Sequence, residues 1–184
     1  MIVAIIVIAI VVILVLWLIL SYNGLIRLRN RIENAWSQID VQLKRRYDLI
    51  PNLVETVKGY AAHERETLEA VIAARQRGLS ANTVAEEGAA NNQITQALGR
   101  LFALSEAYPD LKANQNFLEL QEELTATEDR IGYARQFYND AVLKYDNKRQ
   151  AFPTVIVAKF GTFPDREYFE IEEPAAREVP KVQF

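Results

Sequence analysis

The chain has 184 residues, a formal net charge of −3 and no cysteine. This length allows one domain of ordinary size with a short additional segment. Because cysteine is absent, neither disulfides nor thiolate chemistry can contribute, and interspersed charges on a mildly acidic surface argue against a dedicated nucleic-acid-binding protein.

The N-terminal segment is continuously apolar: residues 2–20, IVAIIVIAIVVILVLWLIL, contain no charge, glycine, proline or hydroxyl group. As a helix this run would be about 28 Å long, close to the hydrocarbon thickness of a bilayer. We predict a transmembrane anchor over residues 1–22, with Ile2 and Leu20 at the ends of the run and Trp17 in the interfacial aromatic belt. A cleaved signal peptide is the alternative, but it requires a basic segment before the apolar run and a small-residue cleavage site after it.

The orientation of the anchor follows from its basic flank. Arg27, Arg29 and Arg31 come shortly after the apolar run, and lysine and arginine collect on the cytoplasmic side of membrane helices. We therefore expect a single-pass protein of the cell membrane, with its N-terminus outside and the bulk of the chain in the cytoplasm.

After the anchor, apolar residues recur at spacings of three and four, which is the pattern of a helix with one buried face. Such stripes run from the anchor to Leu43, from Ile50 to the turn sequence RQRGLSANT, over residues 84–107 and over residues 114–151. They predict an all-α protein in which the single N-terminal transmembrane helix is followed, over residues 23–152, by an up-and-down four-helix bundle with long antiparallel, coiled-coil-like helices.

Pro51 falls within this helical pattern, and two structures are compatible with it. The apolar stripe continues almost in phase from Leu43 through Ile50 to Val54, which allows one long helix kinked at the proline. A turn at Asp48–Pro51 is favoured instead, because proline lacks the backbone donor and restrains the residue before it.

The segment after the last long helix, residues 153–171, contains the apolar stretch TVIVAKFGTF. An up-and-down bundle would bring this segment back to the membrane surface, where it either packs on the bundle or contacts the membrane or a partner. The candidate contact residues are Val155, Ile156, Val157, Phe160 and Phe163. Residues 172–184, with two prolines and alternating charges, predict a mobile tail.

Three stretches carry a resemblance to a known family. They are YNGLIRLRNRIENAWSQIDVQLKRRYDLIPNLVETVKGYAAHE (22–64), NQNFLELQEELTATEDRIGYARQFYNDAV (114–142) and FPTVIVAKFGTF (152–163). In order and spacing the chain resembles the LemA family. The resemblance implies a bacterial inner-membrane protein with one N-terminal anchor, a cytoplasmic four-helix bundle and no established enzymatic activity. Relatives linked to magnetosome membrane formation point to membrane organisation.

Two carboxylates, Glu64 and Glu128, fall on apolar stripes, where an isolated charge would be costly. One hypothesis is a buried polar network that sets the helix register, with the candidate members Glu64, Glu128, His63, Arg45 and Arg130. The alternative is that helix rotation places both carboxylates in water at the edge of the bundle.

No catalytic, metal or cofactor site is predicted. His63 is the single histidine, and the order His63-x-x-Glu66 reverses the Glu-x-x-His motif of di-metal bundles. Lys44, Arg45, Arg46 and Asn52 are instead a candidate docking surface, with Asp40 and Asp48 at helical spacing for ion pairs.

Two functions remain. The first is a non-catalytic, membrane-anchored cytoplasmic helical scaffold that forms a homo-oligomer or docks another membrane protein, in membrane organisation. The alternative is a membrane-tethered enzyme or sensor with a buried carboxylate site. The sequence indicates no nucleic-acid partner and no small-molecule substrate.

Overall fold

The computed structural model describes residues 1–170, and all regular secondary structure in this part of the chain is helical. The helices are α1 (Ile2–Lys58), α2 (Arg65–Ser80), α3 (Val84–Ser105), α4 (Pro109–Lys112), α5 (Gln115–Gln150) and α6 (Thr154–Phe160). The long helices α1, α2, α3 and α5 pack as a helical bundle, which confirms the predicted fold class. The predicted mobile tail, residues 172–184, lies outside the described residues.

Helix α1 continues through Pro51, so the predicted turn at Asp48–Pro51 is wrong and the continuous helix is correct. Proline 51 cannot donate a hydrogen bond to the carbonyl of Tyr47, four residues earlier. The side chain of Arg75, in α2, supplies the missing donor, with 2.7 Å between its Nε and the Tyr47 oxygen. Tertiary packing therefore satisfies the carbonyl that the proline leaves without a partner.

The first break in the helical chain comes after Lys58 instead. The amides of Tyr60 and Ala61 both donate to the carbonyl of Val57, at 3.0 and 2.8 Å, which closes the end of α1. Helix α2 then begins at Arg65.

Side chains cap the N-termini of α3 and α5. Thr83 and Glu86 form a capping box at the start of α3, each side chain accepting from the other residue's backbone amide. At the start of α5, the Oδ1 atom of Asn114 accepts from the amide of Phe117 at 3.0 Å. These bonds satisfy amides that have no partner within the helix.

The described residues form two compact units, and α1 and α5 contribute to both. The first unit comprises Met1–Gln38 and Ala134–Glu167. Its buried residues come from α1, α5, α6 and the chain after α6: Leu25, Ile32, Ala35, Tyr138, Ala141, Val142, Tyr145, Val157 and Phe163. The rings of Trp36 and Tyr138 lie 5.5 Å apart between their centroids, so aromatic contacts join α1 to α5 in this unit.

Among the described residues, the second unit comprises Ile39–Tyr133 and residues 168–170. Its core is mainly aliphatic, and the largest fully buried side chains include Ile39, Leu43, Ile50, Leu53, Ile94, Leu101, Leu111, Phe117 and Leu124. Most of these occupy the predicted stripes, because the positions three and four residues apart share one helix face.

Burial along α1 changes abruptly at the end of the apolar run. The large aliphatic side chains from Ile2 to Leu20 are at least 45% exposed, whereas Ser21 is 5% exposed and Leu25 is fully buried. Helix α1 is the one helix among the described residues that is long and apolar enough to cross a membrane. A continuous apolar surface of this kind is not stable in water and marks an interaction with lipid or protein.

Candidate functional site

Among the described residues of the second unit, Arg46 is the most buried charged side chain, at 2% exposed. Its guanidinium donates to Oδ1 of Asn91 at 2.6 Å and to Oγ1 of Thr95 at 3.1 Å. It also forms an ion pair with the Glu128 carboxylate, which accepts a further bond from the Thr95 hydroxyl at 3.2 Å. We call these four residues the Arg46 cluster; it joins α1, α3 and α5.

Burial dominates the electrostatics of the Arg46 cluster. Burial lowers the pKa of Arg46, and the attraction of the Glu128 carboxylate opposes this effect. The Glu128 side chain is 35% exposed, so the pair connects the interior to the surface. A guanidinium at this depth requires both a counter-charge and neutral acceptors, and the cluster provides them.

The prediction that Arg46 lies on an exposed docking surface is therefore wrong. Adjacent helical residues point about 100° apart, so three consecutive basic residues cannot share one face. Arg46 follows Leu43 by three positions and precedes Ile50 by four, a spacing that places it on the buried stripe. This signal was available in the sequence.

The other members of the predicted docking surface are accessible. Lys44 donates to Asp40 at 2.7 Å across one helical turn, and Arg45 forms an ion pair with Glu123 of α5. Asn52 lines an open cleft of about 440 Å³ between α1 and the start of α5, with Leu49, Thr56, Asn116, Glu119, Leu120 and Glu123. Their role in docking stays a prediction.

The five residues of the predicted polar network belong to separate groups. Glu128 lies in the Arg46 cluster, and Arg45 and Arg130 both approach Glu123, Arg130 at 3.8 Å. Glu64 accepts a hydrogen bond from the Tyr108 hydroxyl at 2.9 Å, and His63 is exposed. Within residues 1–170, no three histidine or carboxylate side chains adopt a metal-ligand arrangement.

A second polar contact, which the sequence reading did not single out, involves Tyr47. Its hydroxyl donates to Oε2 of Glu87 at 2.8 Å. Burial, the bond to Glu87 and the charge of that carboxylate all raise the pKa of Tyr47, and burial raises the pKa of Glu87. A Cβ atom at Gly78 would lie 2.6 Å from Cζ of Tyr47, so the glycine makes room for the ring.

The apolar segment after α5 has two different faces in the first unit. Thr154 and Val157 are each 8% exposed and Phe163 is 6% exposed, whereas Ile156 is 44% and Phe160 is 91% exposed. The sequence left open whether this segment packs on the bundle or contacts its surroundings. One face is packed, and the other is available for contact.

Hydrogen bonds hold the chain that follows α6 against α5. The hydroxyl of Tyr145 donates to the carbonyl of Pro164 at 2.9 Å, and that of Tyr138 donates to the carbonyl of Glu167 at 2.8 Å. Arg149 forms an ion pair with Asp165. Burial raises the pKa of both tyrosines, so their hydroxyls remain donors at neutral pH.

The fold and the arrangement of these groups define an all-α bundle protein with one N-terminal helix able to cross a membrane. The LemA family model matches residues 35–184, and the chain belongs to the LemA family. This confirms the resemblance found in the sequence.

Among curated relatives, protein LemA of Metamycoplasma hominis is 32% identical over 74% of this chain, and the match covers 63% of the relative. The chain thus spans less than two thirds of that protein. Magnetosome protein MamQ 2 of Paramagnetospirillum magneticum is 26% identical, and magnetosome protein MamQ of Magnetospirillum gryphiswaldense is 24% identical. Both matches cover 86% of this chain and 67% of the relative. The apolar helix and these relatives together indicate a membrane location, and none of the names states an enzymatic reaction.

Proposed function

We propose that this chain is a non-catalytic scaffold of the bacterial inner membrane, anchored by the start of α1 and able to self-associate or dock a membrane partner. The N-terminus lies outside and the bundle lies in the cytoplasm. The magnetosome relatives support a role in membrane organisation.

One observation carries this proposal: a single helix changes from exposed apolar surface to bundle core at Ser21. Residues 2–20 match a bilayer in length and polarity, and the same helix then supplies core residues to both compact units. Because the anchor and the bundle share one continuous helix, the anchor holds the bundle at a fixed distance from the membrane, as a scaffold requires.

The orientation rests on Arg27, Arg29 and Arg31, which follow the apolar run. The absence of native cysteine allows a direct test with single-cysteine variants of the full chain in intact cells. Ile2→Cys should react with a membrane-impermeant maleimide from outside, and Lys144→Cys should react only after permeabilisation. The reverse pattern would overturn the orientation.

The scaffold role is tested by crosslinking in native membranes, affinity purification of the full chain and mass spectrometry of the captured proteins. We expect either crosslinks between two copies or a reproducible membrane partner. A chain that is strictly monomeric after gentle solubilisation, and that captures no membrane protein, would overturn the scaffold role while leaving the anchor intact.

Two partly buried carboxylates, Glu128 of the Arg46 cluster and Glu64, which accepts from the Tyr108 hydroxyl, are the basis of a second candidate, a membrane-tethered enzyme or sensor. Glu64→Gln and Glu128→Gln should leave the assembly of a scaffold nearly intact but abolish a carboxylate-dependent output. Glu64 gives the cleaner test, because Glu128 neutralises a buried guanidinium and its replacement also affects folding. A cellular phenotype of the deleted gene that wild-type protein restores and Glu64→Gln does not would favour this candidate.

A further inference from the structure

Helix α6 and the residue two positions before it carry three large apolar side chains that face away from the bundle. Phe152 is 83% exposed, Ile156 is 44% exposed and Phe160 is 91% exposed. Thr154 and Val157, on the other face of α6, are each 8% exposed. The segment is therefore held in place by one face while the other presents two phenylalanines and an isoleucine, a combination that marks an interaction surface.

This exposed face lies in the same compact unit as the membrane helix and close to its end. The ring of Phe163, just after α6, packs edge-on against Tyr22, with 5.4 Å between the centroids. A Cβ atom at Gly24 would lie 3.2 Å from Cε of Lys148, in the last turn of α5. Tyr22 follows the apolar run by only two residues, or about 3 Å along the helix. Helix α6 is thus packed at the level where α1 leaves the apolar run.

Basic side chains surround this face. Arg149 is paired with Asp146 and Asp165, and Arg29 with Glu33, whereas Lys148 and Lys159 are exposed. No acidic residue occurs in residues 1–32 or 147–164, although the whole chain has a net charge of −3. These two ranges contain the basic residues Arg27, Arg29, Arg31, Lys148, Arg149 and Lys159. Cations beside exposed aromatic side chains are complementary to the headgroups of an anionic bilayer.

We propose that Phe152, Ile156 and Phe160 insert into the interfacial region of the anionic bilayer that holds the anchor, while Lys148 and Lys159 contact its headgroups. This inference rests on the proposed membrane anchoring and adds a second attachment beside the first. The packed side chains of Val157, in α6, and Phe163, just after it, take no part, so neither is among the proposed contact residues. A second copy that docked through the same face would fit less well, because it would bring Lys148 and Lys159 of the two copies together.

The second attachment restricts the orientation of the bundle. A single membrane helix leaves the domain free to rotate about the helix axis, whereas a contact on one side of that helix selects one rotation. The bundle then presents the same surfaces to any partner in the plane of the membrane.

The test uses full-length, single-cysteine variants carrying a nitroxide spin label, reconstituted one chain per nanodisc with anionic phosphatidylglycerol and phosphatidylcholine. The labelled positions are Ile156→Cys and Phe160→Cys, with Leu14→Cys to report the anchor. Leu118→Cys, whose native side chain is 48% exposed, is the matched control. Relaxation enhancement by oxygen and by a polar nickel chelate measures the depth of each label.

We expect the labels at positions 14, 156 and 160 to be accessible to oxygen and protected from nickel, and the label at position 118 to be accessible to nickel. If position 14 is in lipid and positions 156 and 160 are in water, the second attachment is refuted and the anchor stands. If position 14 is in water, the proposed anchoring itself fails. A third result would also overturn the proposal: the label at position 160 is exposed to water in single-copy discs but shows dipolar broadening in vesicles that hold several copies. That result would assign the face to contact with a second copy.

Substitution of the aromatic residues gives an independent readout. With the label at position 156, the combined change Phe152→Ser and Phe160→Ser should reduce the oxygen accessibility severalfold. Val41→Ser, at a position that is 57% exposed in α1, should leave it unchanged. Replacement of the anionic lipid by a zwitterionic one should also make the label shallower. An unchanged depth in the aromatic double variant would contradict insertion, and an unchanged depth without anionic lipid would contradict the headgroup contact.

Discussion

The Arg46 cluster leads to a prediction that can be worked out from its geometry. Glu128→Gln removes the counter-charge but keeps the size and shape of the side chain. The Arg46 guanidinium would then retain Asn91 and Thr95, at 2.6 and 3.1 Å, as neutral acceptors. It would also remain 2% exposed, with no carboxylate to offset its desolvation.

The magnitude depends on how deeply the pair is buried. Removing one partner of a fully buried ion pair costs about 3–5 kcal/mol. The Glu128 side chain keeps 35% of its surface exposed, and glutamine still offers a carbonyl oxygen to the guanidinium. We expect the free energy of unfolding to fall by about 2 kcal/mol at neutral pH. In a domain of this size that corresponds to a fall in Tm of about 4–8 °C.

Thermal unfolding of the full-length chain in a mild detergent, followed by far-ultraviolet circular dichroism, measures this loss. Glu122→Gln is the matched control, because it makes the same chemical change at an exposed position of α5 and should stay within about 0.5 kcal/mol of wild type. Adding Arg46→Met to Glu128→Gln should recover stability, because the unpaired cation is gone. If Glu128→Gln matches Glu122→Gln, or if Arg46→Met worsens the loss, the reasoning about the buried charge is refuted.

Three further predictions concern helix α1 and the start of α3. Arg75→Met should lower the free energy of unfolding by about 1–2 kcal/mol, because it leaves the Tyr47 carbonyl without a donor. Pro51→Ala restores the backbone donor, so the same arginine substitution should have little effect in that background. A double-mutant cycle measured by urea unfolding that showed no coupling between the two positions would contradict this. Thr83→Ala should lower the free energy of unfolding by about 1 kcal/mol through loss of the capping box, as measured by thermal unfolding. The control is Thr125→Ala, because the Thr125 hydroxyl bonds only within its own helix. Equal losses of stability in the two variants would exclude a capping contribution. Because the pKa of Tyr47 is raised above its ordinary value of 10.0, its contribution to stability is complete below that value and is lost as the pH rises above it. Tyr47→Phe should therefore flatten the alkaline loss of stability in urea titrations above about pH 10, and an identical slope in both proteins would argue against a tightly held proton.

Local pattern was sufficient to predict most of the fold. The apolar run, the spacing of Leu43, Ile50 and Leu124, and the turn residues after Arg77 each depend on neighbours within a few positions. A helix buries one face whatever its partner is, so the stripe identifies the core side before the partner is known. The third and fourth predicted segments accordingly match α3 and α5 to within two residues at each end.

The candidate sites were harder to predict because their members are distant in sequence. Arg46 lies 45 residues from Asn91, and no local rule pairs the two. The same holds for Tyr47 and Glu87, which are 40 residues apart. The stripe could have shown that Arg46 points inward, but only packing determines which carboxylate meets it. For α6, the sequence indicated an apolar segment and could not divide it into a packed and an exposed face.

By itself, the sequence determined a continuous apolar helix of bilayer length, a set of long amphipathic helices after it, and membership of the LemA family. These follow from composition and from periodicities of three and four residues, which act over a few turns. Only the tertiary structure decided that α1 continues through Pro51, because the compensating donor comes from Arg75 in α2. It also decided that Arg46 is buried against Glu128 and that Phe160 is left exposed beside the membrane helix. For Pro51 and Arg46 the deciding group belongs to a different helix, and for Phe160 it is the packing of the opposite face of α6. All three depend on packing, not on the local chain.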